Sequence, residues 1–236
     1  MDQPVVDEDG FQYWFQNGEL HRNEDLPAMI IDGVQYWFQN GELHRNGDLP
    51  ALIYPHGSKR WYQNGKLHRD RDLPALIDPD GTQCWYQNGK LHRDRDLPAQ
   101  ISFDGDQRWY QNGERHRDGD LPSEILSDGT REWNRNGKWH RDGDLPARIL
   151  SDGTQSWKKN GWSHRDNDLP ATIYPDGRQD WYKNGKLHRD NDLPAIIYPD
   201  FSASYYKNGV FISQCKLDEE SYLALRYEPN RPKDTI

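Results

Sequence analysis

The sequence predicts an all-β protein, an elongated ribbon or solenoid of antiparallel β-hairpin repeats that ends in a short C-terminal helical cap. Three observations support this fold class: a period of 24 residues, an Asn-Gly turn signal in every period, and helical signals confined to the C-terminal end. About eight to nine repeats fit into the 236 residues. Because neighbouring strands lie about 4.8 Å apart, two strands per repeat would lengthen the array by roughly 10 Å each time.

The period is marked by a Trp and by a His seven residues later, with Asn-Gly between them. The Trp occupies Trp14, Trp37, Trp61, Trp85, Trp109, Trp133, Trp157 and Trp181, and the His occupies His21, His44, His68, His92, His116, His140, His164 and His188. A ninth, degenerate copy has Tyr205 in the Trp position and lacks the His-Arg pair. These sixteen residues are therefore predicted to be structural.

Each Asn-Gly predicts a tight hairpin, because both residues of its two-residue turn must adopt positive φ. A turn at Asn88-Gly89 pairs Tyr86 with Leu91 and Trp85 with His92. Tyr and Leu then share one face of the hairpin, while Trp and His share the other. The structural role expected for His92 is packing against the ring of Trp85.

The remainder of the repeat predicts a second turn and a half-buried strand. Pro79-Asp80-Gly81 is a common turn composition. Leu97, Ala99 and Ile101 alternate with polar or proline positions, which predicts one buried and one exposed face. The His-Arg-Asp-x-Asp-Leu-Pro stretch between them is expected to form a bulge or loop, so each repeat contributes about two antiparallel strands.

The ends of the chain differ from the array. Residues 1–9 are predicted to be an N-terminal half-repeat or cap, 10–210 the tandem array, and 211–236 a C-terminal cap with a loose tail from 228 to 236. Asp218 followed by Glu219, Glu220 and Ser221 is typical of a helix N-terminus. We expect this helix to cover the edge of the last strand, since repeat arrays need caps.

Composition narrows the classes of function. The formal net charge of −9 argues against nucleic-acid binding, which requires cations to displace counterions. No transmembrane segment is predicted, and two cysteines form no disulfide framework, so a cytoplasmic location is expected, in the host-cell cytoplasm or virion if the chain is viral. Only 33% of residues are hydrophobic, yet 10 are Trp and 13 Tyr, so aromatic rings are expected to replace an aliphatic core.

The residues 62–68, Tyr-Gln-Asn-Gly-Lys-Leu-His, and the turn at 79–81 resemble the MORN repeat. The likeness covers about residues 10–210 and departs from the family in two places: Arg-Asp-x-Asp-Leu-Pro-Ala replaces the Gly-x-Gly after the His, and the Gly two residues before the central aromatic is absent. Similar arrays resemble open reading frames of large DNA viruses of amoebae. The resemblance implies an antiparallel ribbon, protein–protein contacts, dimerisation and membrane-proximal scaffolds, and a lipid-binding idea also attaches to the family.

The polar motif resembles catalytic and metal-binding sequences, but its repetition every 24 residues argues for a structural role. His-Arg-Asp imitates a kinase loop without the other kinase motifs. Equivalent His residues about 10 Å apart cannot share a metal, and Asp-x-Asp lacks the rest of a calcium loop. We expect instead that Arg69 pairs with Asp72 and that Asp70 caps a turn, with no metal and no cofactor. Protonating all nine His would bring the charge of −9 to about zero, which suggests self-association at acidic pH.

Repeats six and seven vary on the Tyr–Leu face. Asn134 and Lys158 replace the Tyr or Phe, and Trp139 and Ser163 replace the Leu. This face is therefore the candidate contact surface, comprising Phe38, Tyr62, Tyr86, Tyr110, Trp139, Trp162 and Tyr182.

The sequence favours a non-catalytic structural or protein-interaction scaffold, viral or virion-associated, whose partner is another protein, a further copy of the chain, or both. The alternative is an aromatic module that binds glycans or lipid headgroups by ring stacking. An enzyme would need one position where a nucleophile, a base and oxyanion donors converge, and no repeat departs from its neighbours in that way.

Overall fold

The computed structural model describes residues 3–227 and consists of short antiparallel strands with one helix near the C-terminus. The predicted all-β array of hairpin repeats with a helical cap is therefore confirmed. The chain divides into two compact units, Met1–Glu114 and Arg115–Ile236. The predicted tail, residues 228–236, lies outside the described residues.

Within its described residues, from 3 onward, the first unit contains nineteen complete strands, most of them two residues long. They are β1 (Val5–Val6), β2 (Gln12–Tyr13), β3 (Phe15–Gln16), β4 (Glu19–Leu20), β5 (Met29–Ile31), β6 (Val34–Tyr36), β7 (Phe38–Gln39), β8 (Glu42–Leu43), β9 (Leu52–Ile53), β10 (Lys59–Arg60), β11 (Tyr62–Gln63), β12 (Lys66–Leu67), β13 (Leu76–Ile77), β14 (Gln83–Cys84), β15 (Tyr86–Gln87), β16 (Lys90–Leu91), β17 (Gln100–Ile101), β18 (Gln107–Arg108) and β19 (Tyr110–Gln111).

The second unit has the same organisation and ends in two longer strands and the helix. Its elements are β20 (Glu114–Arg115, which begins one residue earlier), β21 (Glu124–Ile125), β22 (Arg131–Glu132), β23 (Asn134–Arg135), β24 (Lys138–Trp139), β25 (Arg148–Ile149), β26 (Gln155–Ser156), β27 (Lys158–Lys159), β28 (Trp162–Ser163), β29 (Thr172–Ile173), β30 (Gln179–Asp180), β31 (Tyr182–Lys183), β32 (Lys186–Leu187), β33 (Ile196–Ile197), β34 (Ser202–Lys207), β35 (Val210–Lys216) and α1 (Glu219–Tyr227).

Within each unit, each repeat contributes two strands to an antiparallel meander and two more to a separate hairpin. In the fourth repeat, β14 pairs with β13 and β17, while β15 and β16 pair only with each other among the described strands. The chain leaves the meander at Trp85, whose N–H donates to the carbonyl of Ala99 at 2.8 Å. The expected two strands per repeat therefore understate the structure, because the hairpin forms its own small sheet.

The hairpin has the predicted register and turn. Tyr86 pairs with Leu91, and the turn residues Asn88 and Gly89 have φ values of 50° and 82°. The His-Arg-Asp loop contains a second pair of left-handed residues, Arg95 and Asp96, with φ of 62° and 53°. The predicted loop is thus a second tight turn, although its residues lack the usual Asn-Gly signal.

The core of each repeat consists of Trp and Ala. The eight repeat Trp side chains are 3–7% exposed, and Ala99 and its six equivalents are fully buried. Burying a Trp removes about 200 Å² from water, which stabilises the fold by roughly 5 kcal/mol before entropic costs. Leu97, predicted to be buried with Ala99, is instead 37% exposed, because the tight turn before it directs this Leu to the surface.

Helix α1 begins as predicted, with the Ser221 N–H donating to Asp218 Oδ1 at 2.8 Å. It packs on the face of the last repeat, in a buried cluster with Trp181 and Ile197. The expectation that it covers the last strand edge is wrong: all seven residues of β35 are exposed.

Candidate functional site

The strongest candidate site is the junction between consecutive repeats, where the polar residues of the motif meet. The guanidinium of Arg93 lies over the ring of Trp85, with its Cζ 3.9 Å from the ring centroid. Its Nε and Nη2 donate to the two carboxylate oxygens of Asp72 in the preceding repeat, at 2.7 and 3.0 Å. Its Nη1 donates to the carbonyl of Pro98 at 3.3 Å. One side chain therefore joins a ring, a carboxylate and a loop carbonyl.

This arrangement recurs along the array and corrects one expectation. Arg69 binds Asp48, 21 residues earlier, and not Asp72 of its own loop, because Asp72 is occupied by Arg93 of the next repeat. The Arg–Asp pairs connect repeats rather than closing a single loop. Pairs of this kind are Arg45–Asp25, Arg69–Asp48, Arg93–Asp72, Arg141–Asp120, Arg165–Asp144 and Arg189–Asp168.

The backbone of the same Asp binds the Trp. The Nε1–H of Trp85 donates to the carbonyl of Asp72 at 3.1 Å, and Trp37, Trp61, Trp109, Trp157 and Trp181 make the equivalent bond. The left-handed conformation of Asp72 directs this carbonyl toward the indole. Asp120 is not among the residues with positive φ, and Trp133 Nε1 is correspondingly buried without a hydrogen-bond partner.

The His joins its repeat to the one that follows. The backbone N–H of Asn112 donates to Nδ1 of His92 at 3.1 Å, and Nε2 of His92 lies 3.1 Å from Asp94 Oδ1. Because Nδ1 accepts, the neutral ring must carry its proton on Nε2. The contact from a turn Asn N–H occurs at all eight motif His residues: His21, His44, His68, His92, His116, His140, His164 and His188.

The two carboxylates that Arg93 and His92 contact, Asp72 of one loop and Asp94 of the next, are held in the ionised form. The hydrogen bonds from Arg93 lower the pKa of Asp72, although burial acts in the opposite direction. Hydrogen bonds from Gln87 and His92 lower the pKa of Asp94. The predicted turn-capping role of the first Asp is replaced by this contact with His and Gln. Arg, His and both Asp are therefore all engaged in contacts within the array.

Clefts open between consecutive loops. One of about 440 Å³ lies between residues 68–73 and 92–95, and its equivalent one repeat earlier measures about 530 Å³. The Trp at the base is buried and has Arg over its ring, so it offers no free face for stacking a sugar. No group of His, Cys, Asp or Glu within residues 3–227 has a metal-binding arrangement.

The Tyr–Leu face is less exposed than expected of a contact surface. Phe38, Tyr62, Tyr86, Tyr110, Trp139 and Tyr182 are all half-buried. Burial raises the pKa of Tyr86 and of Tyr182. Trp162 is 63% exposed, but it pairs with Lys159, while the adjacent Ser163 pairs with Lys158 in the Tyr position. Because neighbouring residues of a strand point to opposite faces, the grouping of Trp162 with the tyrosines is wrong.

The variation in repeats six and seven has a local explanation. Trp139 Nε1 donates to the buried Glu132 at 2.8 Å, and Arg148 Nε lies 2.6 Å from the other oxygen of that carboxylate. Lys158 contacts the hydroxyl of Ser163 at 2.7 Å, and burial lowers its pKa. The replacements at these positions therefore accompany buried charge in the underlying strands, which the hydrophobic pattern did not indicate.

Two exposed apolar features were missed by the sequence analysis. Val210, Phe211 and Ile212 of β35 are 53–67% exposed. The Leu that follows the second tight turn is 37–45% exposed in five repeats, as Leu26, Leu49, Leu97, Leu121 and Leu145. The Val-Phe-Ile run directly after Asn208-Gly209 was the sequence signal for the exposed residues of β35. The recurring Asp-Leu-Pro sequence was the signal for the exposed Leu.

Comparison of the sequence with protein-family models and with curated proteins finds no match. Within the described residues, no helix is long and apolar enough to span a membrane.

Proposed function

We propose that this chain is a non-catalytic scaffold that acts through protein–protein contacts, including contacts between its own copies. The observation that supports this function most strongly is the use of the polar motif. The motif Arg, the His and the second Asp bind neighbouring repeats, as Arg93, His92 and Asp72 illustrate. The first Asp holds the His of its own loop, as Asp94 holds His92. Groups engaged in this way serve cohesion of the array and not turnover of a substrate.

Self-association is assigned to β35. Its seven residues are exposed, and β34 is the strand it pairs with among the described residues. An exposed edge presents unpaired N–H and C=O groups, and two identical edges related by a two-fold axis pair antiparallel without any further adaptation. Val210, Phe211 and Ile212 add apolar surface to that pairing. The resemblance to viral arrays favours a virion or host-contact role for such an assembly.

The test is the molar mass in solution, by size-exclusion chromatography with multi-angle light scattering. We expect a dimer or larger species that dissociates on dilution, and a monomer for the double variant Phe211→Lys, Ile212→Lys. The control is Phe103→Lys, which makes the same kind of apolar-to-Lys replacement at a side chain that is 70% exposed elsewhere in the chain. If the wild-type protein is a monomer at all concentrations, self-association is contradicted. If the control variant also dissociates, the assignment of self-association to β35 is contradicted.

A further inference from the structure

Helix α1 shows what covers one face of a repeat. We define the loop face of a repeat as its motif Arg, the Leu four residues later and the Ile four residues after that. In the eighth repeat these are Arg189, Leu193 and Ile197, and α1 packs on them through Tyr222 and Leu225. Ile197 is fully buried there, whereas its equivalents in the other repeats are only half-buried.

The motif Arg also recognises the helix. In the first seven repeats, Nη1 of this Arg donates to the Pro carbonyl of its own loop, as Arg165 does to Pro170 at 3.4 Å. In the eighth repeat, Nη1 and Nη2 of Arg189 both donate to the carbonyl of Leu225, at 3.3 Å. The last carbonyls of a helix have no partner within it and carry partial negative charge, which suits a guanidinium.

This contact replaces the bond to the Pro carbonyl and leaves the other two contacts of the junction intact. Arg189 keeps its place over Trp181, with Cζ 4.0 Å from the ring centroid, and Nη2 still donates to Asp168 at 2.7 Å. The loop face can therefore bind a helix C-terminus without releasing the contacts that hold repeats together.

The same loop face is uncovered in the first unit. Leu26, Leu49 and Leu97 are 37–41% exposed, and Ile30, Ile53 and Ile101 are half-buried. The Arg residues there donate to loop Pro carbonyls at 3.1–3.3 Å, whereas the Arg of the eighth repeat donates to the helix instead. The Arg, Leu and Ile that hold α1 in the eighth repeat are thus also present in these repeats, where no helix of the described residues covers them.

The spacing also fits. Two strands per repeat give a step of about 10 Å along a sheet. Packed helices lie about 8–10 Å apart, so consecutive loop faces can each hold one helix without a clash.

We propose that the loop faces of the first unit dock short amphipathic helices of a partner protein, each presenting an aromatic residue and a Leu three positions apart with a free C-terminal turn. This inference rests on the proposed scaffold function and names its surface and its partner's chemistry. The burial of Ile197 beneath α1 is its direct precedent in the chain.

The probe is a hydrocarbon-stapled, fluorescein-labelled peptide with the sequence of residues 217–227, titrated into the full-length protein and followed by fluorescence anisotropy. We expect saturable binding that weakens at least tenfold when the peptide carries Tyr222→Asp and Leu225→Asp. We expect a similar loss for the protein variant Leu26→Gln, Leu49→Gln, Leu97→Gln. Phe103→Gln is the control and should leave the affinity unchanged.

A second measurement avoids variants altogether. In wild-type protein with ¹³C-labelled methyl groups, the peptide should shift the resonances of Leu26, Leu49 and Leu97 and leave those of Leu67 and Leu91, which lie on the Tyr–Leu face, in place. Absence of binding, or shifts confined to Leu67 and Leu91, overturns the proposal. Molar mass measured on the same samples separates the two ideas, because a dimer that ignores the peptide overturns helix docking alone.

Discussion

Replacing Arg93 by Ala removes three contacts of one junction at once and leaves the neighbouring repeats unchanged. Arg93 is the guanidinium over Trp85, the donor to Asp72 and the donor to Pro98. Its side chain is only 14% exposed, so water replaces these contacts poorly.

The size of the effect follows from the three contacts. A partly desolvated cation–π contact contributes about 1–2 kcal/mol. The ion pair with Asp72 contributes only about 1 kcal/mol, because that carboxylate is 40% exposed and screened by solvent. The hydrogen bond to the carbonyl of Pro98 contributes about 1 kcal/mol. Arg93→Ala should therefore lower the free energy of unfolding by about 3 kcal/mol, and Arg93→Lys by somewhat less, since Lys keeps the charge but cannot bind a carboxylate through two nitrogens.

Urea unfolding followed by Trp fluorescence measures this effect. Arg95→Gln is the matched control, because Arg95 is exposed in the same loop and its loss should cost under about 0.5 kcal/mol. Since stability in a repeat array is a sum of repeat and interface contributions, the Arg93 variant should also broaden or split the transition. A cost below about 0.5 kcal/mol, or one equal to that of the control, would refute the junction as the source of cohesion.

Three further outcomes follow from the same structure. Arg71 has φ of 62° at a position where three other repeats have Gly, so Arg71→Gly should raise the free energy of unfolding by about 0.5–1 kcal/mol in urea titrations, and Arg71→Ala should give no such gain. Cys84 is buried, and burial raises its pKa to about 11, so Ellman's reagent should titrate only the exposed Cys215 in the native chain; two fast-reacting thiols would contradict the fold around β14. Asp72 has a pKa held below its usual 3.8 by Arg93. Its contribution is therefore present above pH 3.8 and lost as the pH falls through the lowered value, so the unfolding midpoint should decrease on acidification below about pH 4, and Asp72→Asn should flatten that dependence.

The regular part of the fold was predictable because it depends on local rules. Asn88-Gly89 specifies a turn that fixes the pairing of Tyr86 with Leu91, and Asp218 caps a helix through its own neighbours. The period then copies one local structure along the chain, so a correct prediction for one repeat holds for all.

The carboxylate partner of the motif Arg could not be predicted, because it lies about twenty residues away. Arg69 has an Asp three residues later, yet binds Asp48 instead. This pairing depends on the left-handed turn of the loop, which directs the second Asp toward the next repeat. The turn residues Arg71 and Asp72 are not an Asn-Gly pair, so the sequence does not predict this turn. The same turn exposes Leu97, which strand alternation had placed in the core.

The end of the array shows the limit of periodic reasoning. β35 extends to seven residues because the ninth copy has lost its His-Arg and has nothing to form a junction with. Its exposure, and the packing of α1 on a face and not on this edge, are consequences of tertiary structure that a single repeat does not encode.

The most direct test of cohesion through the motif is the protonation of its His rings, measured by long-range ¹H–¹⁵N correlation spectra at pH 7.5. We expect all eight motif His residues to carry the proton on Nε2, with a coupling across the hydrogen bond from the turn Asn N–H to Nδ1. His56, which lies outside the motif and contacts Ser58 through Nε2, serves as an internal reference. Motif rings that carry the proton on Nδ1, or that average rapidly between the two forms, would contradict the contact that joins each repeat to the next.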